Sequence, residues 1–565
     1  MTGPRRILEI KELSVSQRNK VELDGLSLVL DIGETLVVLG EPGSGKDALL
    51  RVVGNFLERH DVTFGTIQYG GGESWPVNRR GKPSIRIAYL SGPRVAPLNP
   101  CVSTISQLVR IVARKQDGPG SNGREELRIA LERFPQAPPF PSLVRKPRQL
   151  SDVELAWALL AAATAQTPDL LIADHAFAGM TPTAVGALAG GLIEEQKRQG
   201  FALIYGAQGL QTAAHLRGRM IVLRHGKVIE EGDFDKLAAG QSHAYTRTLF
   251  KSLPRLADAT PSRKGARGEP LLQVQGLDLG KRRRRNTLSR DGITFELRRG
   301  AALALVGEEG SGRQALVRAM LGIDRFENGR VVLDQVDIRV LSAEMTSRLR
   351  RRIAFITGAD TALDPRMTLW DTVDEPLRAH LRLSRDMIAG HRETALKRVG
   401  LASYDGRTGV ATLSAFDKRR LQVARAIVNA PFMAVIDEPL RGLDAFAQSI
   451  MIELFKDLRM QEGPAFLVIT ADMRVAQALA DDAMIFKDGK LVERGPIAEI
   501  LRAPKDAQTK RLLAAAAPSR KVPAEPPLAQ EKPAGLQQLL QDAPASTSDI
   551  SQAPLAENAV TERSG

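Results

Sequence analysis

Short apolar runs that end in glycine or in a carboxylate recur along the chain. The runs TLVVLG and LALVG each lead into a glycine-rich turn, and a helical pattern follows in DALLRVVGNFL and QALVRAMLGI. The runs LLIAD and MAVIDE are continuously apolar up to their terminal acidic residues. Continuous apolar runs of this length are typical of buried strands in a parallel sheet. The pattern predicts an α/β fold.

The landmarks occur twice in the same order. The first loop glycine, Gly40, returns as Gly307, an offset of 307 − 40 = 267. The strand-end carboxylate Asp174 returns as Asp437, an offset of 437 − 174 = 263. Self-similarity at such a long period indicates a duplicated domain. We therefore expect two homologous domains in one chain.

Composition shifts set the expected domain boundaries. Periodic apolar residues give way to Pro, Gly and Arg in DATPSRKGARGEP, and beyond Ala517 the chain is rich in Ala, Pro, Gln and Ser. Such a tail offers too little apolar surface to offset the entropy of ordering the chain. We expect a first domain over 7–258, a linker over 259–270, a second domain over 271–516 and a disordered tail over 517–565.

Charge and cysteine content narrow the class of protein. The 565 residues include 79 Lys and Arg against 65 Asp and Glu, a net charge of +14, which favours an anionic partner such as phosphate ligands, acidic lipid or nucleic acid. The single cysteine, Cys101, excludes an intrachain disulfide, an all-cysteine zinc site and a cysteine-held iron–sulfur cluster. The amino-terminal sequence lacks a secretory apolar region, and no apolar run reaches the ~18 residues of a membrane span. We expect a soluble chain in a reducing compartment.

The glycine-rich turns match a phosphate-binding loop, G-x-x-x-x-G-K-S/T, in the strand–loop–helix setting that this motif requires. Glycines let successive backbone N–H groups converge on phosphate oxygens, and the lysine reaches the outer phosphates. The second copy carries Arg313 where the lysine belongs. The candidate nucleotide-binding residues are Gly40, Gly43, Ser44, Gly45, Lys46 and Asp47 in the first copy and Gly307, Gly310, Ser311, Gly312, Arg313 and Gln314 in the second.

Carboxylates at the ends of the later apolar strands supply a second candidate constellation. A strand-end carboxylate at this distance from a phosphate loop is suited to coordinate magnesium and to polarise water. Asp437 and Glu438 form a full pair, whereas Asp174 is followed by His175. We therefore take Asp174 and Asp437 as candidate metal ligands and Glu438 as the candidate catalytic residue.

With these motifs, residues 7–515 resemble the ATPase subunits of ABC transporters in a tandem form. RQLSDVELAWALLAAATAQTPDLLIAD and ATLSAFDKRRLQVARAIVNAPFMAVIDEP are similar to the signature motif, its helix and the second carboxylate strand. SHAYTRTLFKSLPRL is similar to the carboxyl-terminal extension of oligopeptide and dipeptide importer ATPases. The resemblance implies two P-loop NTPase domains, each with a central parallel sheet, an antiparallel β-subdomain and a helical insert near 100–160 or 365–425.

The resemblance also implies cofactors, partners and a location. The cofactors would be ATP and Mg²⁺, and the partners would be transmembrane permease subunits and an extracytoplasmic solute-binding protein. The chain would act peripherally at the cytoplasmic face of a bacterial inner membrane. The two domains would pair head to tail, which places Ser151 and Ser414 of the signature motifs against nucleotide on the opposite domain.

The chain departs from the family pattern at the phosphate loops and signature motifs. The Ser or Thr that ligates magnesium in the family is Asp47 in the first loop and Gln314 in the second. Asp47 offers a metal ligand but sets a negative charge beside the triphosphate, which should weaken nucleotide binding. Asp152 and Val153 in the first signature motif, and Ala415 and Phe416 in the second, stand where the family has glycines. The family's switch histidine is replaced by Gln208 in the first domain and by Ala471 in the second.

Head-to-tail pairing would build each nucleotide site from the phosphate loop of one domain and the signature motif of the other. Both of these composite sites would be incomplete. The first would have Lys46 but His175 in place of the catalytic glutamate, and the second would have Glu438 but no lysine. We expect an energy-coupling importer subunit with impaired hydrolysis, and the alternative is an inactive pseudo-ATPase with a structural or regulatory role. A ribosome or nucleic-acid factor would explain the net charge, but the extension argues against a nucleic-acid partner. The transported substrate and the role of the basic run 281–285 stay open.

Overall fold

A computed structural model describes most of the chain. It covers 6–17, 20–41, 43–57, 61–77, 83–93, 98–113, 122–207, 209–239, 243–251, 256, 268–278, 292–341, 343–359, 362–380, 383–460 and 464–516. The predictions for Gln208, for most of the linker, for the basic run 281–285 and for the tail 517–565 fall outside these residues.

The first domain contains two sheets. Its strands are β1 Arg6–Gln17, β2 Lys20–Asp31, β3 Thr35–Leu39, β4 Asp61–Tyr69, β5 Trp75–Pro76, β6 Ile87–Ser91, β7 Leu170–Asp174, β8 Ala202–Ala207, β9 Arg219–Arg224 and β10 Lys227–Asp233. The central sheet has the order β10-β9-β3-β8-β7-β6, parallel except for the antiparallel edge strand β10. The antiparallel sheet has the order β2-β1-β4-β5. These sheets confirm the predicted central sheet and β-subdomain.

The second domain repeats this arrangement. Its strands are β11 Pro270–Asp278, β12 Ile293–Arg298, β13 Ala302–Gly307, β14 Asn328–Leu333, β15 Val336–Asp337, β16 Ile353–Thr357, β17 Met433–Asp437, β18 Ala465–Thr470, β19 Asp482–Lys487 and β20 Lys490–Pro496. The central sheet has the order β16-β17-β18-β13-β19-β20, and the antiparallel sheet the order β12-β11-β14-β15. The matching strand orders confirm the duplication.

Helices cover both faces of each central sheet. The first domain has α1 Lys46–Val53, α2 Thr104–Ala113, α3 Gly123–Glu132, α4 Asp152–Ala165, α5 Pro182–Gln199, α6 Leu210–Leu216, α7 Phe234–Ala239 and α8 Ala244–Lys251. The second has α9 Arg313–Met320, α10 Ala343–Arg350, α11 Leu369–His380, α12 Arg385–Arg398, α13 Ala415–Ile427, α14 Ala445–Met460, α15 Met473–Leu479, α16 Ile497–Arg502 and α17 Ala507–Ala516. Short 3₁₀ helices lie at Phe140–Val144, Pro147–Gln149, Ile338–Val340 and Val410–Thr412. Helices α2–α4 and α11–α13 form the predicted helical inserts.

Strand β3 shows why the apolar runs are continuous. Leu36 and Val38 pack into one core cluster of the first domain, and Val37 and Leu39 pack into another on the opposite face of the sheet. Successive side chains of a strand point to opposite faces, so a strand covered on both faces is apolar at every position. The carboxyl end of β3 is thereby fixed in the sheet, and the phosphate loop begins there.

The two domains pack against each other, and each domain contributes a helix that contacts the other domain. Helix α17 of the second domain lies against α5 of the first, and α8 of the first lies against α14 of the second. Leu256, beyond α8, packs on the core of the second domain, and Ala445 of α14 is buried with the core of the first. None of the helices in the described ranges is long and apolar enough to cross a membrane.

Candidate functional site

The first phosphate loop connects β3 to α1 in a conformation that requires glycine. Gly43 and Gly45 have φ values of 81° and 101°, in the left-handed region that other residues rarely adopt. A Cβ atom at Gly45 would lie 2.3 Å from the carbonyl oxygen of Glu22. The loop therefore packs tightly on the β-subdomain, and its backbone approaches a ligand without side-chain obstruction.

Lys46 begins α1 and supplies the basic side chain of the first loop. Its side chain is buried, and Nζ donates a hydrogen bond to the carbonyl oxygen of Gly40 at 3.2 Å. Burial lowers the pKa of Lys46, and the carboxylates of Asp47, Asp174 and Asp444 oppose that lowering. The ammonium has donors beyond the one given to Gly40 and faces a site with several acidic groups. It is suited to an anionic ligand accompanied by a cation.

Three potential metal ligands converge at the first loop. Asp47, Asp174 and His175 each offer an atom such that all three atoms lie within 4.8 Å of one another. His175 Nε2 is 3.7 Å from Asp47 Oδ1 and 3.6 Å from Asp174 Oδ1. The nearby imidazole of His175 is the main cause that lowers the pKa of Asp47. The oxygen and nitrogen donor set fits a divalent cation.

Tyr89 on β6 orients this cluster and was missed in the sequence. Its hydroxyl donates to Asp174 Oδ2 at 2.6 Å, and burial with this bond raises the pKa of Tyr89. Among the residues that the structure describes, none gives Asp174 Oδ1, which is buried, a hydrogen bond. The donation therefore fixes one carboxylate oxygen and leaves the other for a ligand. Neighbouring parallel strands bring the two residues together, since Ser91 at the end of β6 pairs in register with Asp174.

The second phosphate loop has the same glycine geometry but is filled by its own arginine. Gly310 and Gly312 have φ values of 82° and 93°. The Arg313 guanidinium folds back on the loop, with Nε donating to Ser311 Oγ at 3.0 Å and Nη2 to the carbonyl oxygen of Glu308 at 3.3 Å. Nη1 lies 3.6 Å from Glu438 Oε1. Arg313 is 7% exposed, so burial lowers its pKa, although a guanidinium stays charged in proteins.

Neighbouring groups engage both predicted carboxylates of the second site, although among the described residues Asp437 Oδ1 is buried without a hydrogen-bond partner. Gln314 Nε2 donates to Asp437 Oδ2 at 3.1 Å. Glu438 accepts from the backbone N–H of Ala471 at 2.9 Å and from Thr470 Oγ1 at 3.3 Å. Burial raises the pKa of Glu438, and Arg313 opposes the shift. Gln314 presents its amide nitrogen rather than its oxygen to Asp437, and among the described residues three potential metal ligands converge only at the first site, so the first site fits a metal better than the second in this arrangement.

Residues of the second domain face the signature segment and the phosphate loop of the first. Arg441 follows β17 of the second domain, and its Nη2 lies 2.9 Å from Asp152 Oδ2 in the signature segment of the first. Asp444, three residues further along the chain, raises the pKa of Glu41 in the first loop, although burial of Glu41 is the larger cause of this rise. Both residues were missed, because no pattern within one domain shows that they face the other.

The two signature serines lie at helix starts. Ser151 caps α4 by accepting from the backbone N–H of Glu154 at 3.2 Å, and the Glu154 carboxylate accepts from the backbone N–H of Ser151. Ser414 caps α13 in the same way, accepting from Asp417 at 3.1 Å. An N-cap side chain satisfies an otherwise unpaired helix donor. Their observed bonds are therefore structural, and a nucleotide contact stays a prediction.

The extension after the first domain reaches the first phosphate loop. The ring of Tyr245 on α8 lies 4.7 Å from the guanidinium of Arg224 at the end of β9. Tyr245 and Arg224 both influence the pKa of Glu41, which lies in the loop. Tyr245 therefore packs the extension against the end of β9, beside the first phosphate loop.

Comparisons with known proteins match nearly the whole chain. A family profile described as "ABC transporter" matches residues 23–178 and 290–441, and one described as "Oligopeptide/dipeptide transporter, C-terminal region" matches 229–282. The peptidoglycan transport ATP-binding protein YejF of Agrobacterium fabrum is 29% identical over 91% of this chain and 97% of its own length. The glutathione import ATP-binding protein GsiA of Escherichia coli is 27% identical over 94% of this chain and 93% of its own. Among solved structures, cbiO1 from Clostridium perfringens is 24% identical over 41% of this chain and 91% of its own, with a TM-score of 0.38.

Proposed function

Because this chain belongs to the ABC transporter family, whose profile matches more than half of its residues, we propose that it is the ATP-binding, energy-coupling subunit of an importer. The matched extension over 229–282 and the likeness to proteins named for peptidoglycan and glutathione transport favour peptides or similar small solutes as cargo. The partners are permease subunits and an extracytoplasmic solute-binding protein, and the chain docks at the cytoplasmic face of a bacterial inner membrane.

The observation that carries this proposal is the approach of the two domains to each other beside their phosphate loops. Arg441 and Asp152 join the second loop region to the first domain's signature segment. Asp444 acts electrostatically on Lys46 and Glu41 of the first loop. These contacts support a head-to-tail pair within one chain, with a composite nucleotide site at each phosphate loop.

In the first composite site, the residues fit nucleotide and metal. ATP would supply the phosphoanhydride bond that is hydrolysed, and Mg²⁺ would neutralise charge on the outer phosphates of ATP. The loop N–H groups and Lys46 would bind the phosphates, while Asp47 and Asp174 would hold the cation with His175 beside them. At the glutamate position, His175 has the same left-handed backbone as Glu438, with φ values of 46° and 47°. An imidazole there orients water less effectively than a carboxylate, so hydrolysis is impaired.

In the second composite site, the chain's own charges occupy the groups that would serve nucleotide. Glu438 pairs with Arg313, and Asp437 accepts from Gln314. The cavity around these residues measures about 80 Å³, well below the roughly 300–1,000 Å³ of small-molecule sites. We therefore assign nucleotide to the first site and expect weak binding at the second.

Equilibrium titration with a fluorescent ATP analogue and Mg²⁺ tests this assignment. We expect one tight site, and Lys46→Ala should weaken it about tenfold or more, since a charged hydrogen bond contributes roughly 1.5–3 kcal/mol. The matched control Arg313→Ala should change the tight affinity less than twofold. Equal loss in both variants would contradict the asymmetry. Membrane fractionation with and without the permease subunits tests the partner assignment, since binding to membranes that lack them would contradict it.

The second candidate function is a pseudo-ATPase that couples or regulates without turnover. It is favoured by one specific observation: among the described residues, no site combines a phosphate-loop lysine with a strand-end glutamate. Phosphate release at background level from a protein that still binds the ATP analogue would favour this candidate over an active importer subunit.

A further inference from the structure

The contact between Arg441 and Asp152 joins two domains across 289 positions of sequence. Arg441 Nη2 lies 2.9 Å from Asp152 Oδ2, and Arg441 Nε donates to the carbonyl oxygen of Gly179 at 2.5 Å. The side chains are 25% and 32% exposed, so water screens the pair only in part. One guanidinium therefore binds both the signature segment and the loop after β7 of the first domain.

Neither residue of this contact has a charged counterpart at the equivalent position of the sequence. By the offset of 263, Arg441 corresponds to Ala178 (441 − 263) and Asp152 corresponds to Ala415 (152 + 263). Two alanines cannot form an ion pair or replace its hydrogen bonds. Opposite charges therefore occur at one of the two equivalent pairs of positions, whereas the other pair consists of two alanines.

The protein holds Arg441 in place from within the second domain. Arg419 on α13 is 1% exposed, and its Nη1 donates to the carbonyl oxygen of Pro439 at 2.8 Å while Nη2 donates to that of Gly358 at 2.8 Å. These bonds fix the backbone immediately before Arg441. The guanidinium of Arg441 also counters the raised pKa values of Asp437 and Glu438, in which burial is the largest cause. Arg441 is therefore positioned between the second domain's carboxylates and the first domain's Asp152.

From this geometry we propose that Arg441 and Asp152 form an interdomain latch that holds the second composite site closed without nucleotide. The inference rests on the proposed head-to-tail function but goes beyond it. At an ordinary composite site the nucleotide bridges the domains, whereas here Arg441 makes that bridge from protein to protein. The consequence is an asymmetric cycle in which only the first site opens and closes with ATP.

Hydrogen exchange of the nucleotide-free, full-length protein tests the latch. The readout is the exchange rate of backbone amides in 176–181 and 439–445, the segments that meet at the contact. Arg441→Asp and Asp152→Arg should each raise these rates about five- to tenfold, as expected for a coupled pair in direct contact. The double reversal Asp152→Arg with Arg441→Asp should return them to within about twofold of the unmodified rates.

A matched control is Arg425→Glu, which reverses one partner of a 2.7 Å ion pair with Glu375 inside the second domain. It should leave the exchange of both segments unchanged. If a reversed variant does not fold, as judged by circular dichroism, the neutral variants Arg441→Gln and Asp152→Asn replace it and should each raise exchange. Unchanged exchange in the single variants, or no recovery in the double variant, overturns the latch.

A second measurement separates the latch from a phosphate-binding role for Arg441. Arg441→Gln should leave the affinity for the fluorescent ATP analogue within twofold, because the latch contacts protein. A loss of tenfold or more would overturn the proposal by making Arg441 a nucleotide ligand. Since the exchange experiment contains no nucleotide, a protein that fails to bind ATP would contradict the proposed function and leave the latch result readable.

Discussion

The Arg313 guanidinium lies 3.6 Å from the Glu438 carboxylate, and each side chain is the other's main opposite charge in the buried second site. Arg313 stands where a phosphate-loop lysine is expected, and Glu438 where a catalytic base is expected. The two residues that nucleotide chemistry would use are thereby paired with each other. The planar, five-donor guanidinium makes this pairing possible, because it reaches Ser311, Glu308 and Glu438 at once.

The first prediction is that this pair stabilises the second domain. Glu438→Gln keeps an acceptor for Ala471 but strands the buried charge of Arg313, so we expect a loss of about 1–3 kcal/mol of unfolding free energy. Urea denaturation of the full chain, followed through proteolytic peptides of the second domain, measures this change in the free energy of unfolding. The matched control is Glu375→Gln, which removes one partner of a half-exposed ion pair with Arg425 in the same domain and should cost about 1 kcal/mol or less, the usual range for an exposed ion pair. Equal destabilisation by both variants would contradict the prediction.

The second prediction concerns the metal preference of the first site. Asp47 and Asp174 offer oxygens, and His175 adds an imidazole nitrogen, a ligand that suits transition metals better than Mg²⁺. We expect the nucleotide-free protein to bind Mn²⁺ more tightly than Mg²⁺ in calorimetric titration. His175→Ala should weaken Mn²⁺ binding about tenfold, comparable to the 10- to 100-fold loss from altering a ligand's hydrogen-bond partner. The exposed His391→Ala is the control, and an unchanged Mn²⁺ affinity in His175→Ala would contradict the assignment.

The third prediction is an acid-side loss of stability due to His215 on α6. Burial lowers its pKa, and the nearby charges of Arg217 and of Arg474 from the second domain add to this; Lys197 lines the same cavity. Because the folded-state pKa lies below the unfolded value of about 6.5, the unfolded protein binds more protons as the pH falls below that value. Neutral His215 therefore contributes fully to the free energy of unfolding above about pH 6.5, and this contribution is lost as the pH falls below that value.

The measurement compares thermal midpoints at pH 7.5 and pH 5.5. We expect His215→Gln to lose less stability over this interval than the unmodified chain, since glutamine does not titrate. The exposed His391→Gln should lose as much as the unmodified chain. An unchanged pH dependence in His215→Gln would show that other groups dominate the acid-side loss.

The sequence allowed prediction of the domains but not of their mutual contacts. Strand–loop–helix patterns and the 267-residue offset predict both phosphate loops, because these depend on local backbone and periodicity. The pairing of Arg313 with Glu438 depends on which rotamer a buried guanidinium adopts, and that of Arg441 with Asp152 depends on domain docking. One signal was available: at the offset of 263, both residues of the latter pair align with alanine, so opposite charges appear on one side of the repeat only.

The last prediction is that the two sites hydrolyse ATP slowly for different reasons. The first retains Lys46 but has His175 at the glutamate position, and a lost transition-state contact lowers the rate more than it lowers binding. The second retains Glu438, but Arg313 and Gln314 engage the two carboxylates. Arg313→Lys with Gln314→Ser should therefore raise hydrolysis more than His175→Glu with Asp47→Ser, because the former frees a carboxylate that is already in place. Asp152, Val153 and Ala471 should still limit the gain.

Steady-state phosphate release by the unmodified protein and both repaired variants is the measurement. Glu438→Gln added to the Arg313→Lys, Gln314→Ser variant is the control, and it should remove the gain if the freed carboxylate is the source. Turnover by the unmodified chain at about 1 per second or faster, within the range typical of enzymes, would show that the substitutions are tolerated. A larger gain from the first-site repair would instead show that the missing glutamate, rather than the occupied phosphate loop, limits this protein.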